Sequence, residues 1–581
     1  MNHNLVDINN VLVIGCGGAG LRAAIEAKLN GLQVSILGKR SKKDSHTVLA
    51  AGGINAAFGN IDPNDNWRYH FADTYLEGYE LGDPELIERM CIESPYYVEE
   101  IDKWGANFKK LDNNKFDQRY FGAHKYRRTC YSGDYTGQSI LNALLRKSLS
   151  LKIPIHDSQY VAELLVKDNK CFGAMSFNII TGERTAHFAD AVILCTGGHT
   201  RIWKNSTSRE YENTGDGFHL GLKAGCELSD MEMVQFHPTG TVLPTATRGT
   251  LVTEAVRGEG GLLLNSKGER FMAKYDSKRL ELSTRDRVAM ANYTEIIEGR
   301  GTENGGVFLD ISHKSKEFIL EKIPNIYRQF IENSLIDISK EPMEVSPTAH
   351  YSMGGLKVNA LDHSTRIEGL FSAGEAASGL HGANRLGGNS LAEILIFGAH
   401  AGRAAAKLSK ALSSQLRSRK CISETHDYLN HSISKGNENV YLLKSELRDL
   451  MWDYCGVIRN EKSLIKGINR INDLESFLPN TDIRLEFNNQ NDLINKLDLH
   501  SSLITAKVTL LSALERKESR GAHQRSDFQK TEDACKFNIN ILMKGDKFII
   551  KRSNHKSVNQ ELINHIERSE REEEIAKKLL E

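Results

Sequence analysis

The sequence has few cysteines, and none is spaced for metal or cluster binding. The 581 residues include nine cysteines, and no two of them form a C-x-x-C pair. This spacing argues against structural zinc, against iron–sulfur ligands within the chain and against a disulfide framework. Each cysteine is therefore predicted to be a small buried residue, as free cysteines usually are. They stand at positions 16, 91, 130, 171, 195, 226, 421, 455 and 535.

The sequence also lacks a net charge and a long apolar run. It has 75 basic and 75 acidic side chains, a balance that does not favour a nucleic-acid partner. No apolar run approaches the roughly 20 residues that span a bilayer, and the most apolar candidate, 390–406, contains Glu393, His400 and Arg403. The N-terminus has neither the basic region nor the apolar region of a signal peptide. We therefore expect a cytoplasmic chain that reaches a membrane only through a partner.

A glycine-rich turn near the N-terminus is the first positive signal. The apolar run 11–14 is followed by the motif glycines at 15, 17 and 20, a predicted helix over 21–30 and a second apolar strand over 33–37. This order predicts a dinucleotide-binding unit, because the glycines let the backbone approach a pyrophosphate at a helix N-terminus. The acidic residue that often binds a ribose after the second strand is replaced here by Gly38-Lys39.

Later segments predict further elements of a mixed α and β fold. The chain is 40% apolar and long enough for about three or four domains. A strand over 190–194 precedes a helix over 216–224, and helical periodicity extends over 406–528. The segment 538–552 alternates around a Gly-Asp pair and predicts a hairpin. The charged stretch 556–581 predicts an exposed helix.

Four motifs resemble one protein family closely. They are Gly-Leu-His-Gly-Ala-Asn-Arg-Leu-Gly-Gly-Asn-Ser-Leu at 379–391, Ser-His-Thr at 45–47, Gln-Phe-His-Pro-Thr-Gly at 235–240 and Pro-Thr-Ala-His-Tyr at 347–351. The family they resemble is the flavoprotein subunit of succinate dehydrogenase and fumarate reductase. The resemblance extends from about residue 10 to about residue 530.

The resemblance implies an α/β fold in four parts. A Rossmann-like FAD-binding domain would comprise 1–237 and 345–405, interrupted by an inserted capping domain over the substrate at 238–344. A helical domain would follow at 406–530, and a small C-terminal region at 531–581.

The resemblance also implies FAD as the cofactor, joined covalently to His46. In the family, the histidine of Ser-His-Thr is bonded to the flavin methyl carbon. Such a bond raises the reduction potential of the flavin, which helps it to oxidise an unactivated C–H bond. No metal site is implied. The other implied cofactor contacts are Gly15, Gly17, Gly18, Ala19, Gly20, Lys39, Ser45, Thr47, Gly52, Gly53, Asp216, Glu375, Ser390 and Leu391.

Succinate and fumarate, the substrates that the resemblance implies, are small dianions. Their site needs cations and hydrogen-bond donors that converge on two carboxylates. The resemblance assigns this role to His237, Thr253, His350 and Arg385. The planar guanidinium of Arg385 can hold a carboxylate with two hydrogen bonds at once.

The motif Leu-Ser-Thr-Arg-Asp-Arg-Val at 282–288 matches the family's catalytic arginine, which falls on Arg285. An arginine titrates poorly, since its pKa lies above about 12. It can still pass a proton if a charged relay resets it, and Glu254 and Arg257 fit that relay. Hydride would move between the flavin and one substrate carbon while Arg285 takes or gives the proton at the other. Holding both carboxylates would orient the substrate and stabilise the charge that develops on it.

Electrons that arrive on a flavin need an exit, and the chain has no cluster ligands of its own. We therefore predict a separate cysteine-rich iron–sulfur subunit, which would join this chain to a membrane anchor or to a soluble donor. The direction of the reaction does not follow from the motifs. Succinate dehydrogenases often carry Gln, and fumarate reductases Glu, before the glycine pair that follows Ser-His-Thr, and this chain has Ala51 there.

Two alternative functions are consistent with parts of the pattern. L-Aspartate oxidase shares the His-Gly-Ala-Asn-Arg-Leu stretch, but it holds FAD without a covalent bond and lacks the histidine of Ser-His-Thr. His46 therefore argues against it. A non-catalytic FAD-binding assembly subunit would be expected to have lost at least one of the substrate or proton-transfer residues, and all are present.

Overall fold

The computed structural model describes residues 5–486 and 488–568. Its strands are β1 (Leu5–Ile8), β2 (Val11–Ile14), β3 (Val34–Leu37), β4 (Ile54–Asn55), β5 (Gln118–Arg119), β6 (Thr129–Cys130), β7 (Ile155–His156), β8 (Gln159–Lys167), β9 (Lys170–Asn178), β10 (Arg184–Phe188), β11 (Ala191–Leu194), β12 (Leu228–Ser229), β13 (Val234–Thr241), β14 (Leu262–Leu264), β15 (Val307–Asp310), β16 (Met343–Ser352), β17 (Gly355–Leu356), β18 (Leu370–Ser372), β19 (Ile458–Arg459), β20 (Gln524–Arg525), β21 (Phe537–Lys544) and β22 (Lys547–Asn554).

The α-helices alternate with these strands and confirm the α/β class of the fold. They are α1 (Gly18–Leu29), α2 (Trp67–Glu77), α3 (Pro84–Ile101), α4 (Thr136–Ser150), α5 (Asp216–Ala224), α6 (Ala255–Gly258), α7 (Met272–Tyr275), α8 (Arg285–Glu295), α9 (Lys316–Lys322), α10 (Pro324–Ser334), α11 (Asn389–Ala411), α12 (Arg419–Ser432), α13 (Val440–Tyr454), α14 (Glu461–Phe477) and α15 (Asn491–Glu515). Residues 560–568 are also helical.

A five-stranded parallel sheet forms the centre of the first part of the chain. Its order is β18-β11-β2-β3-β7, and all neighbouring strands run parallel. All residues of β2, β3 and β11 are buried, as expected for strands with helices on both faces. α1 and α11 pack against each other beside this sheet. The predicted strand–glycine turn–helix–strand unit is confirmed, although α1 begins at Gly18 rather than at Leu21.

A second, antiparallel sheet lies in the part of the chain predicted to cap the substrate. Its order is β13-β16-β15-β14. The helices α6–α10 lie between its strands along the sequence, and a core of buried apolar residues joins them to the sheet. β13 and β16 lead into and out of this part, and the predicted boundaries at 237/238 and 344/345 fall within them. The two strands therefore connect the parallel sheet to the insert.

The C-terminal third is built from α12–α15 and a hairpin. α13, α14 and α15 share one apolar core. The hairpin predicted over 538–552 is confirmed as β21 and β22, and β21 also pairs with β12 near the middle of the chain.

Three other expectations bear on burial and on the membrane. Seven of the nine cysteines are buried, and Cys421 and Cys535 are half-buried. The segment 556–581 is predicted to form an exposed helix. Residues 560–568 are helical and mostly exposed, but Leu562 and Ile566 are buried in an apolar core that they share with α1, α3 and α11, and 569–581 lie outside the described residues. Among the helices of 5–486 and 488–568, none combines the length and apolar character needed to cross a membrane.

Candidate active site

One cavity collects side chains from widely separated parts of the sequence, from Ile14 to Ile394. Two predicted site residues, Gly20 and Arg257, do not line it. The predicted residues that do line it are Gly15, Gly17, Gly18, Ala19, Lys39, Ser45, His46, Thr47, Gly52, Gly53, Asp216, His237, Thr253, Glu254, Arg285, His350, Glu375, Arg385, Ser390 and Leu391.

The glycine-rich turn between β2 and α1 forms one wall of the cavity. Gly15 has a φ of +111°, a backbone conformation that favours glycine. A Cβ at Gly20 would lie 1.9 Å from the carbonyl oxygen of Gly15, so this glycine serves the close packing of helix on strand. α1 has no acidic residue in its first turn, and its N-cap residue Gly17 has no side chain, although the N–H of Gly18 donates to Thr47 Oγ1 over 3.1 Å. Its first N–H groups and dipole therefore suit a pyrophosphate, which fits a bound dinucleotide.

Lys39 and Asp216 lie at the cavity wall but are bound to each other. The Nζ of Lys39 is 3.2 Å from Asp216 Oδ2 and 2.6 Å from Asp498 Oδ1, on α15. Burial lowers the pKa of Lys39, but the two carboxylates outweigh it and leave the pKa raised. The ion pair between Lys39 and Asp498 therefore connects α15, in the helical part of the chain, to the cavity wall. The sequence does not reveal this connection.

His46 stands in a short helical turn, His46–Leu49, and its side chain is about one-quarter exposed. Its Nδ1 lies 3.2 Å from Oε2 of Glu212. Burial lowers the pKa of His46, but the hydrogen bond and the charge of Glu212 outweigh it, so the pKa is raised. Glu212 is in turn held by Arg209, whose Nε donates over 3.1 Å. With Nδ1 engaged by Glu212, Nε2 is the nitrogen that remains for a bond to a ligand.

His237 and His350 approach each other with ring centroids 5.2 Å apart. Burial, followed by the charges of Arg285 and Arg257, holds the pKa of His237 well below its ordinary value. Burial and the neighbouring His237 do the same for the pKa of His350. Both imidazoles are therefore neutral at neutral pH. Nδ1 of His237 is held by Thr239, whose backbone nitrogen lies 3.2 Å away and whose carbonyl oxygen lies 3.3 Å away, so Nε2 is the nitrogen that remains for a ligand.

Arg385 lies in the loop that precedes α11 and is almost fully buried. Its Nη1 donates to Ser390 Oγ over 3.2 Å, and its guanidinium lies over the ring of Tyr351, 4.4 Å from the centroid. Burial, and then the charge of Arg285, lowers the pKa of Arg385 to about 10. Its buried Nε has no hydrogen-bond partner within the described part of the chain. The side chain is thus fixed and still has a donor for a carboxylate.

Arg285, at the start of α8, faces the cavity beside Glu254. Its Nε donates to Glu254 Oε2 over 2.9 Å. Arg257 lies behind them, its Nη2 3.8 Å from the same oxygen. Burial raises the pKa of Glu254, but Arg285 and Arg257 outweigh it, so its pKa is lowered and the carboxylate stays ionised. Glu254 is therefore within hydrogen-bond distance of Arg285 for proton exchange, while Arg257 acts on it through its charge.

Sequence reasoning missed three residues around these groups. Tyr351 and Gln235 belong to the quoted motifs, so their proximity to the site was available from the motifs, but no role was assigned to them. Glu212 lies in the charged stretch 209–212 before the turn at 214–215, and nothing local in the sequence links it to His46. Its role depends on the way the chain folds back on the cavity.

Comparison with known proteins covers most of the chain. The family model described as "FAD binding domain" matches residues 10–391, and the model described as "Fumarate reductase flavoprotein C-term" matches 444–572. A fumarate reductase (CoM/CoB) subunit of Methanothermobacter marburgensis is 44% identical, and the match covers 91% of this chain and 96% of that protein. The succinate dehydrogenase flavoprotein subunit of Rickettsia bellii is 38% identical, with coverage of 90% and 91%.

Solved structures agree with this relationship. An E. coli quinol fumarate reductase variant superposes with a TM-score of 0.91 at 31% identity, covering 96% of this chain and 98% of that chain. Mycobacterium smegmatis Sdh1 in complex with UQ1 superposes with a TM-score of 0.88 at 36% identity and covers 95% of each chain.

Proposed function

This chain belongs to the family of flavoprotein subunits of succinate dehydrogenase and fumarate reductase, and on that premise we propose that it interconverts succinate and fumarate with bound FAD. One observation carries the proposal. Two guanidiniums and two neutral imidazoles share a cavity with a glycine-rich turn suited to a dinucleotide. In this proposal FAD, when bound, accepts and donates the hydride.

The residues that would hold the dianion differ in what they contribute. Arg385 supplies a fixed guanidinium for one carboxylate, and its stacking on Tyr351 limits its rotation. His237 is proposed to donate from Nε2 as a neutral ring, so it would bind a carboxylate without taking up a proton. His350 and Thr253 are proposed to add further donors. Because the substrate is held at both ends, little orientational freedom remains to be lost at the moment of reaction.

Proton transfer is proposed to run through Arg285. Its guanidinium would give a proton to a substrate carbon or take one from it. Glu254, 2.9 Å from Arg285 Nε, would return the guanidinium to its starting state. Arg257 does not line the cavity, so its proposed part is to keep Glu254 ionised and to pass the proton onward.

The cavity is proposed to hold FAD through the turn at 15–20 and to fix it at His46. The hydrogen bond from His46 to Glu212 supports this role, because it orients the ring and leaves Nε2 for the bond to the flavin methyl carbon. Asp216, Glu375, Ser390 and Leu391 are proposed to contact the cofactor from the remaining walls.

Replacement of His46 by alanine is expected to abolish the covalent bond but not FAD binding, because the turn at 15–20 is unchanged. In a denaturing gel the wild-type polypeptide should carry yellow flavin fluorescence, and the variant should carry none. Succinate oxidation should fall more than fumarate reduction, because flavin held without the covalent bond has a lower reduction potential. His431→Ala, at an exposed histidine on α12, is the matched control and should keep the fluorescence. Complete release of flavin from the wild type by acid would refute the assignment.

The electron partner is proposed to be a separate iron–sulfur subunit. The chain has no C-x-x-C pair, and the relatives reported above are named as subunits. A membrane anchor reached through that subunit would hold this chain at the cytoplasmic side of a membrane.

The proposed function is tested with a tagged complex purified anaerobically from its native source. The complex should contain a cysteine-rich iron–sulfur protein, reduce an artificial dye with succinate, and oxidise a reduced dye with fumarate. Malonate, an unreactive dianion, should inhibit both reactions. The chain without its partner should react with dyes but not with a quinone. A lone flavoprotein that makes hydrogen peroxide from aspartate would instead assign the chain to the oxidase.

A further inference from the structure

Gln235 is a fully buried amide that lies behind the cavity, on β13. Its carbonyl oxygen, Oε1, accepts from Arg385 Nη2 over 3.0 Å and from Arg285 Nη1 over 3.3 Å. One neutral oxygen therefore lies between two guanidiniums, that of Arg385, proposed to bind a carboxylate, and that of Arg285, proposed to transfer the proton. Gln235 itself does not line the cavity.

A neutral acceptor at this place has a definite electrostatic effect. The two guanidiniums repel each other, and the charge of Arg285 already contributes to the lowered pKa of the buried Arg385. The negative end of the amide dipole offsets part of this repulsion without cancelling either charge. A carboxylate at the same place would pair with both arginines and reduce the positive potential that attracts a dianion. The amide therefore keeps the two side chains together and leaves their charge available to the substrate.

The orientation of the Gln235 amide is determined by its second pair of hydrogen bonds. Nε2 donates to the backbone oxygen of Arg385 over 2.9 Å and to Asn384 Oδ1 over 2.7 Å. Both partners of Nε2 are acceptors, so a flipped amide would bring oxygen against oxygen on one side and NH₂ against two cations on the other. The observed orientation is the only one that satisfies all four hydrogen-bonding positions.

Asn384 is oriented in the same way by two acidic side chains. Its Nδ2 donates to Glu77 Oε1 over 2.7 Å and to Asp286 Oδ1 over 3.1 Å. The other oxygen of Asp286 accepts from the hydroxyl of Tyr79 over 2.6 Å. The two acids thus fix Asn384, Asn384 fixes Gln235, and Gln235 faces both arginines with its oxygen.

We propose that Gln235, oriented by Asn384, is a positioning residue that holds Arg285 and Arg385 in register for a dianionic substrate. This inference deepens the proposed function and rests on it. It adds that the binding arginine and the proton-transfer arginine are mechanically coupled through one amide, so that displacement of one displaces the other.

The test is the Gln235→Glu variant in the complete complex. The side chains have nearly the same shape, so packing is preserved, but the variant places a negative charge between the arginines and an acceptor against Asn384 Oδ1. The dissociation constant of malonate, measured by the change in flavin absorbance, should rise at least 100-fold. The kcat should fall at least tenfold in both directions, while FAD content and melting temperature remain close to those of the wild type. Gln560→Glu, at an exposed glutamine, is the control and should change neither constant.

A second variant covers the case in which Gln235→Glu holds no FAD. Gln235→Met removes both hydrogen bonds to the arginines without adding charge, and it should weaken malonate binding about tenfold and lower kcat about tenfold. A merely structural glutamine would lower stability and leave both constants within threefold of wild type in the folded fraction, and that result in either variant would overturn the proposal. Loss of FAD from both variants would also overturn it, because the role would then lie in folding. Absence of malonate binding and of turnover in the wild type would refute the proposed function itself.

Discussion

Arg285→Gln is expected to abolish turnover in both directions while malonate binding is retained. Glutamine keeps a polar group near Glu254 but has no ionisable proton to give to a substrate carbon. Positioned proton transfer contributes about 10²–10⁴-fold to a rate, so kcat should fall by about 10³-fold or more. His237, His350 and Arg385 still hold the dianion, so the dissociation constant of malonate should rise by about tenfold at most. Steady-state assays with succinate and with fumarate, together with a flavin absorbance titration, measure both quantities.

Arg287→Gln is the matched control for this experiment. It makes the same change two residues further along α8, at a side chain that is 62% exposed and 3.8 Å from Asp276. Its kcat should stay within about twofold of wild type. Surface substitutions away from a site usually change the free energy of unfolding by no more than about 0.5 kcal/mol, so the active site should remain intact. An Arg285→Gln variant that keeps a tenth of wild-type activity would show that the proton is carried elsewhere.

Arg385→Ala is expected to act on binding before it acts on rate. Loss of one member of a buried, hydrogen-bonded charge pair costs about 2–5 kcal/mol. Since each 1.4 kcal/mol is a factor of about ten in an equilibrium constant, the dissociation constant of malonate should rise by at least about 30-fold. KM for succinate and for fumarate should rise with it. Added guanidinium ion should restore part of the affinity, because the truncated side chain leaves room beside Gln235 and Ser390 for the same group.

The control for Arg385→Ala is Arg403→Ala on the helix that follows it, α11, where the side chain is 42% exposed. This control should leave malonate binding unchanged. Equal malonate affinity in Arg385→Ala and the wild type would remove Arg385 from the proposed substrate site.

The parts of the fold that were predicted correctly are those encoded by neighbouring residues. The glycine-rich turn, the helix over 216–224 and the hairpin around Gly545 each follow from a short pattern and are confirmed. The family was also identified correctly, because its motifs are continuous in the sequence. The domain boundaries and the individual site residues remain predictions.

The contacts that could not be predicted join residues far apart along the chain. Lys39 is predicted to contact FAD from its place after β3, yet it also pairs with Asp498, 459 residues away. Glu212 reaches His46 across 166 residues. Such pairs depend on the order of strands in the sheet and on the return of α15 to the cavity, neither of which leaves a periodic signal. A charged residue in a sequence does not indicate which distant side chain it contacts.

The strand order of the parallel sheet also affects how the protein is synthesised. β2 can pair with β3 as soon as residues 34–37 have left the ribosome, but its other neighbour, β11, ends at Leu194, and β18 ends at Ser372. At about 5–20 residues per second, translation takes roughly 20–70 s to proceed from Val11 to Ser372. During this time an edge of the apolar strand β2 and then of β11 is open to wrong pairing, because an unpaired strand edge is a template for pairing with another chain. The wall of the cavity is complete only when Leu391 and Ile394 have emerged, so the cofactor can be enclosed only after residue 394 has been synthesised.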